Sequence, residues 1–535
     1  MRWGESRRDA WCAILLAAIA SVAVVMAITP HPVGVFQDDG MYVVLARSLA
    51  EGDGYRFSNL PNAPHGVHYP PLYPFWLALL WKVFPSFPAN VQVFKMANAL
   101  LLGLGAAGAF VWARRSLGFG TWAAALASII GAACAPLVWL SAMVLSEPAF
   151  LALLFPVLML AERAASRDSS ARTVVTAGAA VGLLALLRSL GMFILPALAL
   201  ILAFQRRWRH AALAVLAGAI VIAPWQVWTL FHGDELPGAF SGKYGSYFGW
   251  VVDGIKDGGV PYVAAVFKVN AKYSSEFITG SLGLAATHWS VRAVALTVVL
   301  GLFVLGARTL ARRAPVTAGF LALYASIVLV WPFPPHRFYW GVMPILVLTV
   351  ALGIRALYQM RPQRIAIYRA ASVAAGVTLF ALYARPNVLG TPRWDIADEE
   401  AIVADRSRAV AEWVGRYTTQ DEVIATEDDV LVHLYTGRRA IPLATFTPRE
   451  HLKPQTTAFA SATLDSLLQT YPVRWVLPVS IMHINTALSL TSRKPPVLQL
   501  RQALKVGGVF EHTRYEPPVT GVAAERSHND GRPAQ

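Results

Sequence analysis

The chain is predicted to be a polytopic α-helical membrane protein with a small C-terminal α/β domain, and three observations carry that reading. Mean hydropathy is +0.48 over 535 residues, with only 14% charged residues. Apolar stretches close to the roughly 20 residues that cross a bilayer recur from Ala10 to about Ala384. Beyond that point the composition turns mixed and charged. Together these exclude a soluble globular enzyme and a disordered chain.

The first apolar segment, Ala10 to Thr29, follows Arg2, Arg7 and Arg8 as a signal peptide would, but it is longer than a usual apolar signal region and lacks a convincing small-residue cleavage pattern. It is read as a helix. About ten further spans follow: Asn90 to Trp112, Thr121 to Trp139, Pro148 to Glu162, Thr173 to Leu187, Leu190 to Phe204, Ala211 to Phe231, Val291 to Leu310, Val316 to Pro332, Phe338 to Tyr358 and Ile365 to Ala384. Leu72 to Phe84 is also apolar, but it is short and opened by Pro70, Pro71 and Pro74, so it is expected to lie at the interface or to re-enter. Leaving it out sets the parity of every later loop.

Charge tests that parity, because Lys and Arg near span ends are held in the cytoplasm. With the N-terminus inside, the inside edges hold Arg2, Arg7, Arg8, Arg114, Arg115, Arg163, Arg167, Arg172, Arg206, Arg207, Arg209, Arg308, Arg312, Arg313, Arg355, Arg361, Arg364 and Arg369. Only Glu5, Asp9, Glu162 and Asp168 oppose them, so these edges account for nearly all of the chain's net charge of +15. The basic balance therefore reports topology and anionic-lipid contact, not nucleic-acid binding.

That orientation divides the chain into a membrane domain at 1–385, with external loops at about 30–89 and 232–290, an extracytoplasmic α/β domain at 386–522 and a disordered tail at 523–535. The α/β region should hold helices over Glu399 to Tyr417 and Leu464 to Tyr471 and strands over Glu422 to Ala425 and Val473 to Val479. From Pro386 onward 17 acids face 16 bases, so no polyanion site is expected there. The basic edges place the spans in a membrane with that side facing the cytoplasm.

The same orientation puts an unusual set of charges on one face. Asp38 and Asp39 stand together at the membrane edge, where desolvation and mutual repulsion both disfavour them, so they ask for a chemical reason. One could instead cap a helix expected from Met41 to Ala50. Glu147, just before Pro148, is a possible second acid, although it also suits a first helical turn. Arg188, His336 and Arg337 are isolated cations on the otherwise base-poor side, suited to a phosphate or to anchoring at headgroups. Lys243, near Tyr244 and Tyr247, is a weaker phosphate candidate, and Lys256, Lys268 and Lys272 are read as solvated. His65 and His68 have a spacing that could ligate metal on a helix, but Pro64 and Gly66 mark a loop, so a structural pair is the favoured reading. No cofactor is assigned, and a divalent metal is left open. Cys12 and Cys134 are read as buried small side chains, and no P-loop, dinucleotide fingerprint, nucleophile elbow or internal repeat occurs.

In order and position these residues resemble the GT-C class of glycosyltransferases, in particular bacterial aminoarabinose transferases, protein O-mannosyltransferases and Rgt-like sugar transferases. The resemblance rests on Asp38-Asp39-Gly40-Met41-Tyr42 through Ala46-Arg47, Gly52-Asp53-Gly54-Tyr55, Tyr69-Pro70-Pro71-Leu72-Tyr73-Pro74, Leu145-Ser146-Glu147-Pro148, Ala185-Leu186-Leu187-Arg188 and His336-Arg337-Phe338-Tyr339. It spans roughly residues 10 to 360. It implies a polyprenyl-phosphate-linked sugar as donor, a lipid, glycan or protein as acceptor, and inverting transfer outside the cytoplasmic membrane. Asp38 or Asp39 would be the base, and Arg188, Arg337, His336, Lys243 and Tyr69 would bind lipid phosphate or substrate. Tyr69 stands where the aminoarabinose branch has Lys, which separates this chain from that branch. The alternatives are a transporter or flippase of lipid-linked or anionic substrates, expected to show inverted repeats and charges at the midplane, and a noncatalytic assembly subunit.

Overall fold

The computed structural model describes residues 3–236, 238–359, 365–389, 395–443, 447–504 and 507–516. In chain order the helices are α1 (Trp3–Ala27), α2 (Asp38–Glu51), α3 (Leu72–Val83), α4 (Asn90–Arg115), α5 (Thr121–Ala132), α6 (Ala135–Ala142), α7 (Glu147–Ala165), α8 (Ala171–Leu187), α9 (Ile194–Phe204), α10 (Trp208–His232), α11 (Ser241–Tyr244), α12 (Tyr247–Ser281), α13 (Trp289–Arg313), α14 (Pro315–Val330), α15 (His336–Trp340), α16 (Met343–Tyr358) and α17 (Ile365–Ala384). Among the described residues six of them, α1, α4, α7, α10, α13 and α17, are long and apolar enough to cross a bilayer. Each of the eleven expected segments holds helix, yet length and composition alone qualify only these six, or seven if α5 and α6 count as one bent span. The chain is an integral multi-pass membrane protein.

Three departures have local causes. The expected span Thr121 to Trp139 is two helices bent by 56°, because Pro136, in the first turn of α6, has no N–H to continue the ladder of α5. The stretch 232–290, read as loop, contains the 35-residue α12, kinked at Gly259, whose φ of 58° and ψ of −150° only glycine adopts readily. Helix α2 starts at Asp38, not Met41, and Gln37 occupies the cap position without a side-chain cap bond. Neither acid is therefore an N-cap.

Close helix packing uses glycine. A Cβ on Gly306 of α13 would lie 1.8 Å from the Thr349 carbonyl of α16, and one on Gly353 would lie 1.9 Å from the Leu302 carbonyl. Only bare backbone fits this crossing. The basic helix ends gather at one end of the bundle: Arg114 bonds Asp9 at 3.0 Å, Arg355 donates to the Gly118 carbonyl at 2.6 Å, and Glu162 accepts from the Thr317 amide at 2.7 Å. At the other end Lys95 reaches the Thr29 carbonyl at 2.9 Å, and Asn98 donates to the carbonyls of Met143 and Leu145 at 2.8 and 2.9 Å.

Residues 395–516 add α18 (Asp395–Tyr417), β1 (Val423–Thr426), α19 (Asp429–Thr436), β2 (Ala440–Ile441), α20 (Thr457–Thr470), β3 (Val473–Leu477), α21 (Ile481–Thr491), β4 (Leu498–Ala503) and β5 (Gly508–His512). The sheet order is β2-β1-β3-β5-β4, with β2, β1 and β3 parallel and β5 antiparallel to both β3 and β4. The four elements expected from sequence overlap α18, β1, β3 and α20. The tail at 523–535 lies outside the described residues.

Helix α19 joins this unit to the membrane body. Gly34 and Gly40 lie under it so closely that added Cβ atoms would sit 2.8 Å from Leu431 Cβ and 2.8 Å from Val430 Cγ1. Buried Asp429 takes Lys243 Nζ at 2.5 Å and also accepts from the Tyr244 hydroxyl. Asn59 Nδ2 donates to that hydroxyl at 2.8 Å, Ser58 Oγ and His433 Nε2 are 3.1 Å apart, and the Ala440 amide donates to the Asn59 carbonyl at 2.8 Å. Removing one partner of a buried ion pair leaves the other uncompensated, at a cost of about 3–5 kcal/mol. Asp429→Asn is accordingly expected to lower the melting midpoint of the detergent-solubilised protein, and Asp429→Asn with Lys243→Met to lose less than the sum of the two single changes.

Candidate active site

The first turn of α2 presents its two acids to different surroundings. Asp39 points inward and is 4% exposed; its Oδ2 accepts the Gly34 amide at 3.0 Å, while Oδ1 has no partner among the described residues. Asp38 is half-buried and faces the other ionised groups. Its Oδ1 accepts the Tyr69 hydroxyl at 2.6 Å, and its Oδ2 is held by Arg337 Nη1.

Arg337 makes a second bond, from Nε to Glu147 Oε1 at 2.7 Å. Arg188 Nη1 lies 2.7 Å from that same oxygen and donates to Ser146 Oγ at 3.3 Å. Glu147 has no solvent exposure, and Oε2 lacks a partner among the described residues. Four separate segments therefore deliver two carboxylates and two guanidiniums to one point. Three of them arrive by a local rule: Asp38 and Glu147 open helices, where carboxylates suit the positive dipole end, and Arg188 caps α8 in an extended conformation (φ −146°, ψ 125°). Aromatic rings line the cluster. Arg337 stacks 5.0 Å from the Phe36 centroid, and Tyr42 packs on Tyr69 and Tyr73 at 4.5 and 4.9 Å. Tyr42 also shares a 3.0 Å hydrogen bond with Ser146.

The remaining candidates lie elsewhere. His336 turns from its neighbour Arg337 toward Tyr273 and Phe277, with ring centroids 5.6 and 6.1 Å away, and burial lowers its pKa. Lys243 is engaged by Asp429. His68 Nδ1 is 2.5 Å from the Gly245 carbonyl and its ring packs on Tyr247 at 4.4 Å; burial lowers its pKa as well. His65 instead meets His232 and Glu235, the one set of three potential metal ligands that converges among the described residues. His65 and His68 thus turn to different partners and do not form a pair with each other.

Sequence reading quoted Tyr42 and Ser146 only within motifs and gave them no role, and it passed over Asp429, His232 and Glu235. A helix begun at Asp38 places Tyr42 one turn above that acid, so the misplaced helix start hid it. Asp429 had no local signal at all.

Burial raises the pKa of Asp39 from 3.8 to about 6, against the lowering effect of the Gly34 and Gly40 amides and of Lys95; Asp38 adds a smaller upward push. The folded state therefore binds this proton more tightly than the unfolded chain does. The stability from Asp39 is greatest below about pH 4 and declines by up to about 3 kcal/mol as pH rises through about 6. Asp39→Asn should remove that decline: its melting midpoint exceeds wild type above pH 6, and the gap closes toward pH 4.

No family model matches the chain, and no curated protein matches it in sequence. Solved structures do. The aminoarabinose transferase ArnT from Cupriavidus metallidurans bound to undecaprenyl phosphate is similar with a TM-score of 0.54 at 15% identity, covering 94% of this chain and 99% of that one. The same enzyme in the apo state gives 0.53 at 16% identity, covering 93% and 97%. The apo oligosaccharyltransferase of Archaeoglobus fulgidus gives 0.51 at 11% identity, covering 95% of this chain and 75% of that one. At these identities the likeness is one of fold, and it extends over nearly the whole chain: this protein has the fold of the GT-C glycosyltransferases.

Proposed function

We propose that the protein is a membrane glycosyltransferase that moves a sugar from a polyprenyl-phosphate donor to an acceptor hydroxyl at the extracytoplasmic face, with inversion and with Asp38 as the base. The observation that carries this reading is the Asp38–Arg337–Glu147–Arg188 cluster. At rest it holds two positive and two negative charges. In the transfer, Asp38 accepts the hydroxyl proton while the acceptor oxygen bonds the anomeric carbon, and the electron pair of the breaking C–O bond leaves with the lipid phosphate. One negative charge thereby disappears from Asp38 and one appears on the phosphate. Arg337, bonded to Asp38 beforehand, is the group placed to follow that charge. Inversion needs only one base, and a departing phosphate needs positive charge more than a strong acid.

Other residues take supporting roles in this reading. Glu147, bonded by both guanidiniums, orients them and does not donate a proton. Asp39, anchored to Gly34, fixes the first turn of α2. Tyr69 orients Asp38 through its 2.6 Å bond. An apolar cavity of about 1050 Å³ suits the donor's hydrocarbon tail; it is lined by α5, α12, α13, α14, α16 and α17 and runs from Tyr339, two residues from Arg337, to Phe119 and Arg355 at the basic end of the bundle. The ArnT structure with undecaprenyl phosphate supports a lipid phosphate as the ligand class.

The test is transfer of labelled sugar from a polyprenyl-phosphate donor in proteoliposomes. Asp38→Asn should lower kcat by about 10²-fold or more, Asp39→Asn by less, and Arg337→Met should impair turnover with the lipid donor as strongly as Asp38→Asn. Full turnover in Asp38→Asn would remove the catalytic assignment. Movement of intact donor across the bilayer without glycoside formation would make the protein a flippase.

A further inference from the structure

We propose that a polar cavity in the α/β unit, walled by β3, β4, β5 and the turn before β1, binds a short neutral oligosaccharide, separately from the Asp38–Arg337 cluster. The cavity encloses about 670 Å³, a size common among small-ligand sites. Its position follows from the sheet. Trp475, Glu511 and Gln499 stand opposite one another across β3, β5 and β4, so their side chains share one face. Helix α18 covers that face as far as Trp413, which packs on Trp475 at 5.3 Å and donates to Gln502 Oε1 at 3.0 Å. The helix ends at Tyr417, and beyond it the face is left to polar side chains.

Those side chains hold one another in place. Arg474 donates from Nη1 to Glu422 Oε1 at 2.8 Å and from Nε to Glu511 Oε1 at 3.2 Å. Its guanidinium lies 4.8 Å from the Trp475 ring centroid and 5.9 Å from that of Tyr515. Glu422 is buried and takes the Thr419 amide on its other oxygen at 3.0 Å. Arg501 sits in a bulge of β4 between Leu500 and Gln502, and such an extra residue re-aims its side chain. It reaches Glu511 Oε2 from Nε at 2.7 Å and from Nη2 at 2.6 Å. Ion pairs as exposed as these add little to stability, but they fix the cavity wall and so lower the ordering cost of binding.

The bonding capacity left over selects the ligand. Arg474 Nη2, Arg501 Nη1, the Gln499 amide, the Tyr515 hydroxyl and the Asp421 carboxylate line the cavity without a hydrogen-bond partner among the described residues. Donors and acceptors thus stand side by side, which suits hydroxyl groups that act as both, and Tyr515 supplies a ring for the C–H face of a pyranose. Three acids and two arginines line the cavity, so a phosphate or a polyanion is disfavoured. Glu422 and Glu511 are already matched by guanidinium, which leaves a metal ion no free pair of carboxylates. An apolar ligand would strand the polar groups. A neutral, polyhydroxylated chain meets each of these conditions. The cavity shares no residue with the Asp38–Arg337 cluster, and the choice of ligand rests on its own chemistry, not on the sugar-transfer reading.

The test measures binding by the full-length protein in a zwitterionic detergent, because the headgroup of a maltoside would itself compete. The probes are immobilised neutral oligosaccharides of glucose, mannose, galactose and N-acetylglucosamine, with phosphorylated glycans beside them. Wild type should retain at least one neutral glycan. Gln499→Ala and Tyr515→Ala should each weaken that binding by about tenfold without moving the melting midpoint, and Asp38→Asn should bind as wild type does. Retention of no neutral glycan, or of phosphorylated ones alone, would overturn the proposal. So would binding that both cavity variants leave unchanged, since the glycan would then sit elsewhere. No sugar donor is present, so neither result depends on whether the protein transfers sugar.

Discussion

The guanidinium of Arg337 lies between Asp38 and Glu147, and the end of the bundle that carries these residues is organised around that bridge. Asp38 belongs to α2, Glu147 to α7 and Arg337 to the short α15, while Arg188 from the end of α8 completes the square. A fully buried carboxylate stays ionised at little cost only beside compensating charge. Glu147 therefore draws both arginines inward, and Arg337 in turn holds Asp38 at the rim. If one member is lost, its neighbours are left as uncompensated ions in an apolar setting. In the proposed transfer the same balance has a chemical use, because neutralising Asp38 would free positive charge beside the departing phosphate.

A second constraint comes from the other side of α2. The glycines at 34 and 40 allow α19 to lie directly on the chain that presents the two acids, and Asp429 ties down Lys243 and Tyr244. The next residue, Gly245, accepts the bond from His68, which neighbours the Tyr69 that bonds Asp38. The α/β unit is thus packed into the site's support and is not a detachable appendage. Asp39, enclosed under this contact, is kept from water, and its raised pKa is the electrostatic sign of that enclosure.

Much of this was legible in the chain itself. Hydropathy located the apolar helices among the described residues, and the unusual charges on the base-poor side named the four members of the cluster together with Tyr69. The failures have equally local causes. Proline broke a span that hydropathy alone joined. Glycines and lysines masked the helical period of α12, and a helix start misplaced by one turn hid Tyr42. His65 was noticed, but with a sequence neighbour as partner in place of His232 and Glu235.

What the sequence determined by itself is the membrane character, the segregation of basic helix ends and the identity of the rare acids and isolated cations, because these follow from solvation costs that each residue carries into any fold. The tertiary structure alone decided which of them meet. Arg337 is 299 residues from Asp38, and Lys243 is 186 from Asp429. A lone arginine at a helix end reads the same whether it anchors to headgroups, as considered for Arg188, or bonds a buried carboxylate. Only helix packing removes the water that separates those two fates.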